Sequence, residues 1–205
     1  MKIGASKSRR NSHGKETKMN LLIASDLHGD LAAAERTFDR FSAEGADRLL
    51  WLGDLLYHGP RNDLPAGYAP KRVIALLNAN RDKLFCVRGN CEAEVDQMVL
   101  DFPVLADYAL LPVGQKVIFA THGHHHNIST PPALRAGDVL LHGHTHLYAA
   151  ESFALPAGGE ALYLNPGSVA LPKGGNPATY MMLDTERGNY RILTMDGEEV
   201  LRGTI

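Results

Sequence analysis

Cysteine is scarce in this chain. Only Cys86 and Cys91 occur in 205 residues, too few for a disulfide framework, so a reducing setting, the cytoplasm, is expected. Long apolar runs are also missing. Nothing approaches the ~20 consecutive apolar residues that span a bilayer, so no membrane partner is expected. No self-similarity recurs at a fixed period, which excludes a solenoid or propeller.

Positive charge is lacking where a nucleic-acid binder would need it. The chain carries −2 overall, and residues 1–18 hold six basic residues against Glu16 alone. Removing that +5 leaves −7 on residues 19–205. A domain so acidic has no basic footprint, and nucleic acid is not an expected partner. Residues 1–18 contain no apolar h-region and so do not form a secretory signal. With little apolar surface to offset ordering entropy, they are expected to be a disordered basic extension ahead of one domain at 19–205.

Hydrophobic residues make up 44% and charged residues 21%, ordinary usage for a globular chain. Short apolar runs alternate with helical spacing. Leu21–Ala24, Leu49–Leu52, Leu84–Val87, Val117–Ala120, Val139–Leu141 and Ala161–Leu164 read as strands. Leu31–Ala43 and a segment opened by Pro70 read as helices. Tyr180–Leu183 and Tyr190–Leu193 read as two further strands joined by a turn. The alternation predicts an α/β protein, and the C-terminal strands predict a second sheet packed on the first.

The early strands run directly into metal-ligating residue types. The first meets Asp26-Leu27-His28, the second Gly53-Asp54 and the third Gly89-Asn90. Two later ones meet His122 and Gly143-His144-Thr145-His146. Sites in open α/β sheets form outside the carboxyl ends of strands, so one convergent site is predicted. Extended backbone would point Asp26 and His28 the same way, and likewise His144 and His146. Carboxylate, amide oxygen and imidazole suit a divalent first-row ion. Burying this set without a cation would be costly. The bland reading holds elsewhere: His125 and His126 as loop residues, Cys86 as core, and His142 as a core or strand-end residue.

This ordered set, together with His58-Gly59-Pro60-Arg61-Asn62, Thr121-His122-Gly123-His124, Asn165-Pro166-Gly167-Ser168 and Lys173-Gly174-Gly175-Asn176-Pro177, resembles the calcineurin-like metallophosphoesterase superfamily. It is most similar to the small bacterial phosphodiesterases of the YfcE type. The resemblance implies two facing β-sheets flanked by helices. It implies that Asp26, His28, Asp54 and His146 hold one divalent ion and that Asp54, Asn90, His122 and His144 hold a second, with Asp54 bridging. Mn2+ is the first expectation, ahead of Zn2+, Fe2+, Co2+ or Ni2+. A hydroxide activated by the two ions would then cleave a small phosphodiester. Arg61 and Asn62 are expected to meet substrate. Cys91 stands where many members have His, in contact with phosphate or leaving group, and His124 is a candidate to supply that proton instead. A phosphomonoesterase of the same fold and a non-catalytic protein-binding scaffold are the alternatives. Homo-oligomerisation is compatible with each.

Overall fold

The computed structural model describes residues 19–205; the basic extension expected at residues 1–18 lies outside the described residues. The elements run β1 (Asn20–Ala24), α1 (Leu31–Ala43), β2 (Arg48–Trp51), α2 (Pro70–Ala79), β3 (Leu84–Cys86), α3 (Glu94–Gln97), β4 (Tyr108–Val113), β5 (Lys116–Thr121), β6 (Val139–Leu141), β7 (Tyr148–Ala154), β8 (Glu160–Pro166), β9 (Thr179–Asp184), β10 (Asn189–Thr194) and β11 (Glu199–Thr204). Among the described residues, no helix is long and apolar enough to cross a membrane.

Strand alternation makes the layers. In β1, Leu21 and Ile23 enter one apolar cluster with Leu50, Ile118, Val139, Leu164 and Ile192. Leu22 and Ala24 point the other way, into a cluster with Leu49, Trp51, Phe41, Val73 and Leu77. The first cluster joins two sheets and the second joins the first sheet to α1 and α2, as period-two alternation requires. The first sheet has the order β11-β10-β9-β1-β2-β3 and the second β4-β5-β6-β8-β7. β1, β2 and β3 are parallel, as are β5, β6 and β8.

Two facing sheets are therefore present, as expected, with the two longer helices on the first. The C-terminal strands do not build the second sheet. β9 pairs antiparallel with β1 and extends the first sheet, while the second is made from the middle of the chain. The Asn165-Pro166 pair is the end of β8 rather than part of a turn, and Pro166 faces Tyr148 across the edge.

Local chemistry fixes the ends of α1. Asp30 accepts a hydrogen bond from Ala33 N at 2.9 Å, an N-cap worth about 1 kcal/mol. At the other end Gly45 takes φ +61. Ala46 N then reaches Phe41 O at 3.1 Å and Gly45 N reaches Ser42 O at 3.2 Å, the paired bonds of a glycine stop. Between them, Glu44 accepts from Arg40 Nη2 at 2.8 Å, from the Tyr180 hydroxyl at 3.0 Å and from Arg191 Nη2 at 2.8 Å. One carboxylate so ties the helix to β9 and β10.

Burial alone would raise the Glu44 pKa, but the bonds from Arg40, Tyr180 and Arg191 outweigh it and hold it below 4.5. A depressed folded pKa gives stability that is present above the unfolded value and lost as pH falls through the folded one. Glu44→Gln is expected to lower unfolding free energy by about 1–2 kcal/mol at pH 7. Urea melts of both proteins should show that gap closing as the pH drops below 4.5.

Candidate metal centre

The loops leaving β1 and β2 stack on one another through their backbones. Asp26 N donates to Gly53 O at 3.2 Å, His28 N to Asp54 O at 2.8 Å and Gly29 N to Leu55 O at 2.8 Å. Gly53 and Gly89 sit where the loop leaving β2 touches the loop leaving β3. A Cβ on Gly53 would lie 2.4 Å from Gly89 N, and one on Gly89 would lie 2.1 Å from Asp54 Oδ1. Only glycine allows this approach. The loops after β5 and β6 close the site from the second sheet, and His144 N donates to Asp26 Oδ2 at 3.0 Å.

Among the described residues, the non-glycine positions with positive φ are Asp26, His28, Asp54, His144 and His146. Each is a predicted ligand. The extended backbone expected for Asp26-x-His28 and His144-x-His146 is therefore absent; left-handed turns make these side chains converge. Each such residue carries a conformational cost of order 1–3 kcal/mol that the surrounding bonds must hold.

Backbone carbonyls set the imidazole tautomers. His28 Nδ1 lies 2.9 Å from Tyr57 O, His122 Nδ1 lies 2.6 Å from Leu52 O and His146 Nδ1 lies 2.5 Å from Leu171 O. A carbonyl only accepts, so each Nδ1 carries the proton and a neutral ring turns its Nε2 lone pair inward. His28 Nε2 and His146 Nε2 are 3.3 Å apart, and His146 Nε2 is 3.3 Å from Asp26 Oδ1. His122 Nε2 is 3.5 Å from Asp54 Oδ2, 3.1 Å from Asn90 Oδ1 and 3.1 Å from His144 Nδ1. Donors sharing a cation at first-row bond lengths stand roughly 3–3.6 Å apart. Asp26, His28 and His146 form one compact donor group, and Asp26, Asp54 and His122 another.

A divalent ion fits these residues. Asp26 Oδ1 is fully buried with no hydrogen-bond partner, a costly state for an anionic oxygen unless a cation meets it. Burial would raise the pKa of Asp26, yet His146 and His28 hold it well below the usual range. Burial likewise opposes ionisation of Asp54, and His122 overrides it. The reciprocal effect appears at His122. Burial would lower its pKa, but the bond to Asp54 and the charges of Asp26 and Asp54 push it up to about 9. The pocket attracts positive charge.

The remaining predicted residues are less uniform. Arg61, Asn62 and Cys91 line the same cleft, a cavity of about 420 Å3 that also takes in His28, Asp54 and Lys173. Asn62 is partly committed, its Nδ2 donating to His58 O at 2.8 Å. The Cys91 thiol donates to Asp54 Oδ2 at 3.3 Å. Burial first, and the charge of Asp54 next, push its pKa far up, so it stays a thiol. His124 is not among the cleft-lining residues. Its ring packs 5.4 Å from His122 and 6.3 Å from His144, and burial followed by the charge of His122 lowers its pKa to about 4. His142 packs on Tyr163, as a core residue would.

The sequence reading passed over Glu92. This buried carboxylate accepts from Leu55 N at 2.7 Å, Asp54 N at 2.9 Å and Gly89 N at 2.5 Å. Burial and then the charge of Asp54 raise its pKa to about 7, against those three donors. It clamps the Asp54 loop to the Asn90 loop. No local pattern distinguishes it from a solvated acid beside Cys91. Glu92→Gln turns one acceptor into a donor that faces an N–H. Expected results are a stability loss of about 1–3 kcal/mol and weaker metal retention after dialysis. Urea unfolding and elemental analysis would check both; wild-type values in each would remove the clamp.

The family model described as the calcineurin-like phosphoesterase superfamily domain matches residues 19–188. The chain belongs to this superfamily of metal-dependent phosphoester hydrolases. Among curated proteins, it is 50% identical over 168 residues to phosphodiesterase YfcE of Escherichia coli, covering 82% of this chain and 89% of that one. It is 26% identical to the probable metallophosphoesterase YsnB of Bacillus subtilis over 89% of this chain and 95% of that one. The solved structure of the E. coli YfcE phosphoesterase superposes with a TM-score of 0.84 at 46% identity, covering 91% of this chain and all of that one.

Proposed function

We propose that the protein hydrolyses small phosphodiesters with two divalent ions, held by Asp26, His28, Asp54 and His146 on one side and by Asp54, Asn90, His122 and His144 on the other. The observation that carries this is Asp26 Oδ1, buried without a well-formed hydrogen bond and 3.3 Å from His146 Nε2, beside imidazoles whose Nδ1 protons are committed to carbonyls on the far side of each ring. Nitrogen and oxygen donors without thiolate suit a divalent first-row ion; Mn2+ is the ion proposed, with Zn2+, Fe2+, Co2+ or Ni2+ as the alternatives. Bound ions supply charge for the phosphate oxygens and lower the pKa of water from about 15.7 towards ~7.

The chain's own groups do the rest. Asp54 Oδ2, 3.8 Å from His28 Nε2 and 3.5 Å from His122 Nε2, stands where one carboxylate would serve both sets of ligands. Arg61 and Lys173 bring cations to the cleft mouth, where they orient the substrate's outer oxygens. Cys91 keeps its proton on sulfur, donated in a hydrogen bond to Asp54 Oδ2, and is a weak acid towards a departing alkoxide. His124 is a neutral base behind the metal-facing rings. The chemistry so assembled favours esters whose leaving groups need little protonation. A cytoplasmic setting accompanies this reading, both cysteines being free thiols.

Chelated, metal-stripped protein is expected to lose hydrolysis of bis-p-nitrophenyl phosphate and to regain it with Mn2+. The diester should be cleaved faster than p-nitrophenyl phosphate. Cleavage that survives full metal removal would defeat the reading. Asp54→Ala should reduce turnover by at least about a hundredfold and reduce bound metal; full turnover with two ions still bound would rule out the bridge. Cys91→His is expected to help most with poor leaving groups, and a leaving-group series shows this as a flatter dependence of rate on leaving-group pKa than the wild type gives.

A further inference from the structure

Beside the cleft lies a second and larger cavity, about 770 Å3 against 420 Å3. The two share Pro60, Arg61, Asn90 and Cys91. These shared residues place the second cavity directly beside the cleft where the phosphorus would sit. The cavity's character is different. Tyr57, Tyr68, Ile74, Val95 and Val99 line it, and Val95 is 61% exposed and Tyr57 43%. Tyr57, His58 and Tyr68 form an edge-to-face series with centroids 4.6 and 5.5 Å apart. Arg61 and Lys71 add cations to this lining.

We propose that this groove receives one ester arm of the diester substrate and that the arm is a flat aromatic group. The inference rests on the phosphodiesterase reading above. Phosphate alone needs only the cleft. An aliphatic polyhydroxylated arm would leave the apolar lining in water or bring unpaired polar groups against it. An aromatic arm covers the lining, offers Tyr57 and Tyr68 a further ring to pack on, and shares the groove with the Arg61 and Lys71 cations. The volume falls in the range of small-ligand sites.

Diphenyl phosphate and dimethyl phosphate carry the same charge and are symmetric, so either arm tests the groove. Both are measured as competitive inhibitors of bis-p-nitrophenyl phosphate hydrolysis by Mn2+-loaded protein. Diphenyl phosphate is expected to bind at least about tenfold more tightly. Val95→Asp places a charge in the groove on an exposed side chain and should erase that preference. Met98→Asp, the same change on the neighbouring and 83% exposed position outside the groove, should keep it. Equal inhibition by the two phosphates in wild type, or an unchanged preference in Val95→Asp, would overturn the groove while leaving hydrolysis standing. Absence of hydrolysis by every metal-loaded form would overturn the underlying phosphodiesterase reading and the groove with it.

Discussion

Concentrated buried negative charge is the constraint on which the rest of this molecule turns. Asp26 and Asp54 lie 0% and 2% exposed within one pocket, and neither can be neutralised by a lysine or arginine, because none reaches them in the described structure. The imidazoles around them present lone pairs when neutral. The pocket is stable only if a cation or protons occupy it. This requirement explains why the loops adopt left-handed backbone and why glycines stand at their contacts. It also explains why Glu92 spends a buried carboxylate on three backbone donors rather than on a charge partner.

The two sheets divide the work. The first brings Asp26, His28, Asp54 and Asn90 on the loops of three parallel strands. The second brings His122, His144 and His146 on loops from β5 and β6. The apolar layer between the sheets holds these two sets of loops at one height. Within it, Ile23 of β1 and Leu52 just past β2 join Ala120 and Leu141 of the second sheet in one cluster, each close to a site loop.

Much of this was legible in the sequence, and the gaps have physical causes. Central strands such as Leu21–Ala24 and Val139–Leu141 are buried on both faces and read as unbroken apolar runs. The unpredicted strands β4, β7 and β11 are all sheet edges. Their residues are largely exposed or half-buried, and β4 carries Pro112, so no periodic signal marks them. The assignment of the C-terminal strands to the second sheet went wrong because antiparallel pairing of β9 with β1 depends on distant partners. In the site, the convergence of the candidate residues was readable because ligand-type side chains follow one strand end after another. Orientation was not: the left-handed turns at Asp26 and His144, the inward course of Glu92 and the position of His124 behind His122 follow from packing.

The carbonyls that fix the three rings come from separate parts of the chain, the loop after β2 for Leu52 and Tyr57 and the segment after β8 for Leu171. The donor set therefore exists only while both sheets are docked. Separating them scatters the candidate ligands and frees the rings to turn. An ion bound by this set would stabilise the docked sandwich over the opened chain. A chelator would then act on the molecule as mild heating does, bringing the opening of the sandwich closer without being the opening itself.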